Sequence, residues 1–268
     1  MSVTVDNAIR TRLDARLKNL YSAIAILLSY DHEDYIIAGN SLNVDKPHDF
    51  DIYPDDSKFD FGAIKKRVKS FDGAYVACET RNALTINLSG HVLQFCNYSK
   101  KTIAQLIESF DFAHIQIGAV VHICWEPGDP EDGGGYNNSF IQSIWMTDDY
   151  KTAHTIGTTW YTGSDYPLSS LIRCVKYAQR NTYANKFEYK ADILKILGDI
   201  ISRGYKDYAD FKDQLAAVDL LLLEEQESQA AWVLFKICCS RGLVENWHDG
   251  WSKEQYEEEL DPELDPEF

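Results

Sequence analysis

Tyr35-Ile-Ile-Ala38 is a short apolar run rich in β-branched residues that stops at Gly39, and Phe50-Asp-Ile-Tyr53 is a second that stops at Pro54. A chain punctuated in this way folds locally as strand, tight turn, strand over Asp34 to Asp56. Strand side chains alternate between faces, so Asp49 and Asp51 share one face while Phe50 and Ile52 enter a core. Two like charges so close repel unless a cation lies between them. Oxygen ligands on a rigid strand suit Mg²⁺ or Mn²⁺, and Mg²⁺ takes one or two carboxylates together with substrate phosphates. At Gly39 the absent Cβ lets backbone N–H groups of the Gly39-Asn40-Ser41 turn, and the Ser41 hydroxyl, come close to a phosphate. The plainer alternative is an ordinary β-turn followed by an edge strand with solvated aspartates.

Around this stretch the pattern alternates between helical and strand periods. Asp6 to Tyr30 carries Ile9, Leu13, Leu17, Leu20, Ile24 and Leu27 at helical spacing, with Asp6 placed to cap it. Phe59 to Ser70 reads as a short amphipathic helix with Lys65-Lys66-Arg67 on a solvated face. Ala74 to Glu79, Ala83 to Leu88 and His91 to Asn97 are β-like, the last two joined across Ser89-Gly90 as a hairpin. Thr102 to Phe110 reads as helix, Ile115 to Trp125 as a long buried strand, and Phe140 to Met146 as another. Between those strands, Glu126 to Asn138 holds three successive glycines among acidic residues and no Gly-Lys-Ser/Thr sequel, so it reads as a flexible insertion and not a phosphate loop. The fold class expected is α+β, a mixed sheet flanked by helices over residues 1–168. From Ser169 helical spacing dominates, giving a small helical region over 169–252. The remaining 253–268, with its Leu-Asp-Pro-Glu repeat, reads as a disordered acidic tail.

The charge restricts the partners. The formal net charge is −16, and from Glu245 onward ten acidic residues face Lys253 alone, so nine of those excess charges lie at one end. No Lys/Arg-rich cluster large enough to displace counterions is evident, and long duplex nucleic acid is not an expected partner. No run approaches the ~18 uninterrupted apolar residues of a membrane span. The first residues carry charges where a signal peptide has an apolar stretch, so a cytoplasmic, membrane-free protein is expected. The six cysteines form no C-x-x-C pair and read as buried thiols in a reducing compartment.

A strand ending in a small-residue turn, followed by a strand bearing Asp-x-Asp, resembles the nucleotidyltransferase superfamily that includes DNA polymerase β and the CCA-adding enzymes. Ala38-Gly39-Asn40-Ser41 is similar to that family's Gly-Gly or Gly-Ser turn, and Asp49-Phe50-Asp51 to its metal-binding pair. The resemblance implies a third carboxylate on the sheet strand that follows. The matching position here is Gln94, whose amide can ligate or hydrogen-bond but cannot act as a base. Glu79 and Asp111 are the substitutes the sequence offers. The segment Ser169 to Arg180 resembles the helix that follows the catalytic domain in CCA-adding and poly(A) polymerases. Its Arg173, Lys176 and Arg180 fall on one helical face, and the resemblance implies that they contact triphosphate or acceptor phosphate while Tyr177 packs or stacks. A solvated helix face is the alternative.

The function expected is therefore metal-dependent transfer of a nucleoside monophosphate from an NTP, ATP among the candidates, to a hydroxyl of RNA, protein or a small molecule. The alternative is a catalytically impaired nucleotide-binding or protein-interaction module of the toxin-antitoxin or decoy type, which Gln94 and the acidic tail favour.

Overall fold

The computed structural model describes residues 7–28, 33–43, 47, 49–54, 58–80, 82–88, 90–97, 102–126, 136–137, 139–180, 189–216, 229–248, 250–252 and 255. The expected cap Asp6, most of the Gly-rich insertion, the Leu220 to Leu223 run and nearly all of the acidic tail lie outside the described residues. The chain divides into two compact units, Met1–Thr162 and Gly163–Phe268.

The first unit is α+β. Helix α1 (Asn7–Leu28) leads into β1 (Glu33–Ala38), a 3-10 turn (Asn40–Leu42) and β2 (Phe50–Pro54). Then come α2 (Phe61–Val68), β3 (Tyr75–Glu79), β4 (Ala83–Leu88), β5 (His91–Cys96), α3 (Ile103–Glu108), a second 3-10 turn (Ala113–Ile115) and β6 (Ile117–Ile123). A two-residue ladder, β7 (Trp125–Glu126) with β8 (Tyr136–Asn137), frames the Gly-rich insertion before β9 (Phe140–Met146) and α4 (Asp148–Ile156). Seven strands form one mixed sheet in the order β3-β4-β5-β2-β1-β6-β9. The β2–β5 pair is parallel and all its other pairs are antiparallel.

The two faces of this sheet differ. On one, Ile37, Ile52, Leu84, Ile86, Leu93, Phe95, Ala119 and Val121 are sealed under α1 and α2, whose Leu13, Leu17, Leu20, Ile24, Leu27, Ile64 and Val68 are buried against them. Each such Val, Leu, Ile or Phe side chain contributes roughly 1.5–3 kcal/mol relative to exposure. The other face has a smaller cluster under α3, made of Ile36, Ala38, Tyr53, Cys96 and Val120 with Ile103, Leu106 and Ile107. Helix α3 lies close because Gly118 has no side chain: a Cβ there would stand 3.0 Å from Ile107 Cγ2 and 3.1 Å from Ile103 Cδ1.

Capping explains where the helices begin. Asp60, Thr102 and Thr147 accept from the N–H groups of Ala63, Gln105 and Tyr150 at the starts of α2, α3 and α4. Both sheet edges are blunted against further pairing. The outer strand β3 is short and shifts register between Val76 and Cys78, and at β9 the Arg10 guanidinium of α1 donates to the carbonyls of Ile141 and Gln142. The Lys65-Lys66-Arg67 run is only partly a solvated face. Lys65 pairs with Glu79 at 2.8 Å, and Arg67 donates to the Leu27 carbonyl at 2.8 Å, fastening α2 to the end of α1. All six cysteines are free thiols, and Cys78 is half-exposed where a buried one was expected.

The second unit is helical: α5 (Pro167–Arg180), α6 (Tyr189–Arg203), α7 (Tyr208–Ala216) and α8 (Gln229–Ser240). Its core is aromatic. Tyr208 meets Phe235 at 4.7 Å and Trp232 at 5.4 Å between ring centroids, with Phe211 and Tyr205 alongside. A bidentate Arg203–Asp210 pair and the Tyr205–Val244 bridge close it, and Trp251 packs against it while Trp247 stays exposed. Among the described residues no helix is long and apolar enough to cross a membrane.

Candidate functional site

Register places one transverse row of residues on the face that α3 only partly covers. Thr85 on β4 pairs with Gln94 on β5, Gln94 with Asp51 on β2, Asp51 with Ala38 on β1, and Ala38 with Gly118 on β6. Residues paired across a sheet project from the same face, so Asp51 and Gln94 are immediate neighbours. Asp49 lies two residues before Asp51 and is exposed, while Asp51 is half-buried. The buried Cys96 thiol senses both. Its pKa is pushed well up, first by burial, then by the Asp51 charge and, less, by Asp49.

The bend after β1 stands against this row. Gly39 sits at φ +86° and ψ −153°, a conformation that suits glycine, and a Cβ there would lie 3.6 Å from Asp51 Oδ2 and 3.9 Å from the Phe110 ring. Its own N–H is committed to the Ile117 carbonyl at 2.9 Å, and Leu42 and Asn43 N–H close the 3-10 turn onto Gly39 and Asn40. Ser41 is buried, and its hydroxyl turns back to the Ala38 carbonyl at 3.4 Å. The N–H groups of Asn40 and Ser41, as the first of a helical turn, have no acceptor inside that turn.

A layer of polar side chains behind the bend fixes its position, and none of them belongs to a motif. Asn43 donates to the His114 carbonyl at 2.6 Å and accepts from the Tyr150 hydroxyl at 2.7 Å. His114 Nδ1 meets Thr159 Oγ1 at 2.8 Å, and burial pushes the imidazole pKa down to about 3, so it is neutral at pH 7. Gln116 donates to the Phe110 carbonyl and Thr162 and accepts from Thr147 Oγ1 at 2.7 Å. Apart from the short Gln116–Phe110 link, these contacts span 31 to 107 positions of sequence. The one legible signal among them is the helix start at Thr147-Asp148-Asp149.

Two candidates for a third carboxylate stand elsewhere. Glu79 lies on the outermost strand, is paired in register with Leu84 of the sealed face, and is held by Lys65. Asp111 is 1 % exposed and does not line the open surface. Arg173, Lys176, Tyr177 and Arg180 lie on α5 of the second unit. Arg173 and Tyr177 are half-buried, and the side chains of Lys176 and Arg180 lie outside the described residues. Among the described residues no group of three or more His, Cys, Asp or Glu gathers to hold a metal. The donor set present is two carboxylates and one amide. It fits Mg²⁺ in the form that keeps waters and takes its remaining oxygens from a bound phosphate.

No family model and no curated protein matches this sequence. Among solved structures the chain is similar to the Thermotoga maritima CCA-adding enzyme complexed with tRNA, at 13 % identity and a TM-score of 0.44, covering 77 % of this chain and 49 % of that one. It is likewise similar to a CCA-adding enzyme in complex with CTP, at 13 % identity and a TM-score of 0.45 over 87 % and 52 % of the two chains. A tRNA-processing enzyme in an apo form matches at 10 % identity and a TM-score of 0.43 over 96 % and 63 %. The chain spans about half the length of the CCA-adding enzymes it matches. Likenesses this distant carry no argument about activity.

Proposed function

We propose that the protein is a metal-dependent nucleotidyltransferase that moves a nucleoside monophosphate from an NTP to an acceptor hydroxyl. The observation that carries this reading is the approach of Asp51 Oδ2 to the bare Cα of Gly39, with Gln94 beside it in register. A carboxylate next to a glycine bend is an arrangement in which a divalent ion and a polyphosphate can occupy adjoining positions.

Asp49 and Asp51 would hold Mg²⁺ or Mn²⁺, which when bound neutralises charge on the triphosphate and on the leaving pyrophosphate. The chain's own part is positioning. Gly39 leaves room for the phosphates, the Asn40 and Ser41 N–H groups bind phosphate oxygens, and the Asn43–His114–Tyr150 links keep the bend from moving as charge shifts during in-line attack. Ser41 acts through its backbone and the buried end of the turn, not through its hydroxyl. Arg173, Lys176 and Arg180 are assigned to triphosphate or acceptor phosphate and Tyr177 to packing or stacking, on the resemblance of their helix alone. RNA or protein serves as acceptor, and the acidic body favours protein or a small molecule over a long polyanion.

A second reading, nucleotide binding without turnover, is favoured by one observation: Gln94 occupies the third position and cannot take a proton. Purified protein incubated with Mg²⁺, each α-labelled NTP, and cellular RNA and protein separates the two. Label on an acceptor that disappears with Asp51→Asn supports transfer. Tight nucleotide binding with no labelled acceptor supports the second reading, and neither binding nor label, unchanged by Asp49→Ala and Asp51→Ala, removes both.

A further inference from the structure

Helix α8 is apolar on two sides. Phe235, Cys238 and Cys239 enter the aromatic cluster of the second unit, and Trp232 packs on it. The opposite side bears Val233, Leu234 and Ile237, which are 46 %, 39 % and 51 % exposed. At 3.6 residues per turn these three share an arc of about 100°, where a surface helix normally carries polar groups. The charge around them has one sign. Lys236 and Arg241 are exposed, one turn on from Val233 and Ile237, and no acidic residue occurs between Gln229 and Val244 in a chain of net charge −16. An apolar patch rimmed by cations suits a ligand that is apolar along one side and acidic elsewhere.

The same chain supplies such a segment next to α8. Trp251 packs on the cluster that α8 enters, and the chain passes from there through Ser252 into its acidic end. Tyr256, Leu260, Leu264 and Phe268 recur every four residues, and all the positions between them are Glu, Asp or Pro. Pro262 and Pro266 disfavour a helix, and in an extended segment a spacing of four puts all four anchors on one side. Successive anchors then stand about 13 Å apart, so two of them span the roughly 18 Å of a twelve-residue helix. Two other apolar stretches fit less well. Helix α6 exposes Leu194, Leu197 and Ile201 but carries Asp192 and Asp199, and the Leu220 to Leu223 run, four in succession, presents no single apolar side.

We infer that the acidic segment 256–268 docks on the exposed face of α8 in its own chain, with Leu260 and Leu264 against Val233 and Ile237 and the neighbouring carboxylates toward Lys236 and Arg241. The contact shields an apolar surface that would otherwise be open to other macromolecules. A segment of this composition builds no core of its own, so its order depends on the helix it meets. Exposed charges contribute to the contact, and it therefore loosens as salt rises. The inference stands apart from the transferase reading and involves none of its residues.

The test uses the full chain, uniformly labelled with ¹⁵N, and reads backbone order parameters and amide shifts, with folding checked by thermal melts. In the wild type the amides around Leu260 and Leu264 should have order parameters above about 0.6, the level below which backbone is flexible. The double variant Leu260→Ser, Leu264→Ser should drop the segment below that level and shift the amides of Val233 to Ile237. Ile237→Ser, made at an exposed position, should release the segment in the same way, and so should Lys236→Glu combined with Arg241→Glu. None of these changes should depend on protein concentration. A segment already below about 0.6 in the wild type, with α8 amides unmoved by the Leu260 and Leu264 substitutions, overturns the inference. Shifts centred on another element overturn the choice of α8. Order that is lost on dilution assigns the contact to a second copy and overturns docking within one chain.

Discussion

The two faces of the central sheet are built from the same strands and obey opposite rules. Beneath α1 and α2 the inward positions of the central strands are aliphatic or aromatic and buried, so that face works by excluding water. On the α3 side the apolar patch ends at Tyr53 and Cys96, and the row beyond it runs Asp51, Gln94, Thr85. That row is half-exposed and polar, and it stands beside a bend locked by hydrogen bonds. One face supplies stability and the other carries groups whose burial would cost stability unless a ligand balances them. Substitutions should therefore separate cleanly into those that unfold the protein and those that silence it.

The largest expected effect is on the sealed face. Phe95, fully buried in the sealed cluster and edge-on to Phe59, should cost about 3–5 kcal/mol on replacement by Ala, seen as a lower midpoint in urea. Acid tests the layer behind the bend. His114 is ordinarily near 6.5 and is held at about 3, so its folded form resists the proton that the unfolded chain accepts. The stability this contributes is fully present above pH 6.5 and is lost as the pH falls from there toward about 3. The loss should amount to a few kcal/mol, and His114→Asn should flatten the acid limb of the stability curve. Asp51→Asn belongs to the opposite class: a melting temperature close to wild type, with transfer reduced by about a hundredfold or more in single-turnover assays.

Gly39→Ala should affect both properties, because a non-glycine residue at φ +86° carries strain of about 1–3 kcal/mol, and its methyl would enter the space next to Asp51. Calorimetry and nucleotide titration of the same variant would report the two losses side by side. Smallest is Lys65→Ala. Its partner Glu79 is on the surface, so stability should change by less than about 1 kcal/mol and activity not at all.

The sealed face was legible in the sequence because it is local and periodic. The i, i+3, i+4 spacing of α1, the Ser89-Gly90 signal between β4 and β5, and the apolar run of β6 each announce their element without reference to the rest of the chain. The α+β class follows from them. Helix α4 was not among the expected elements, because with only Tyr150 and Ala153 of its nine residues buried it has little apolar periodicity to read. The site was half legible. The glycine bend and a strand bearing Asp51 can be read directly, although that strand starts at Phe50 and leaves Asp49 one residue before it, whereas the position of Glu79 at the sheet edge and the Asn43–His114–Tyr150 links depend on how distant segments are brought together. The same holds for Gly118, whose role is visible only once α3 is placed over it. No local pattern encodes a strand order in which β5 lies next to β2 while β3 and β4 lie outside.

The central claim is that Asp49 and Asp51, beside the Gly39 bend, form a divalent cation site. Sub-stoichiometric Mn²⁺ added to isotopically labelled protein tests it residue by residue through paramagnetic broadening of backbone amides. Signals of Gly39 to Ser41, Asp49 to Asp51 and Gln94 should vanish first, while those of α1 and α2 on the sealed face persist. Broadening centred elsewhere, or spread evenly over the acidic surface, would contradict it.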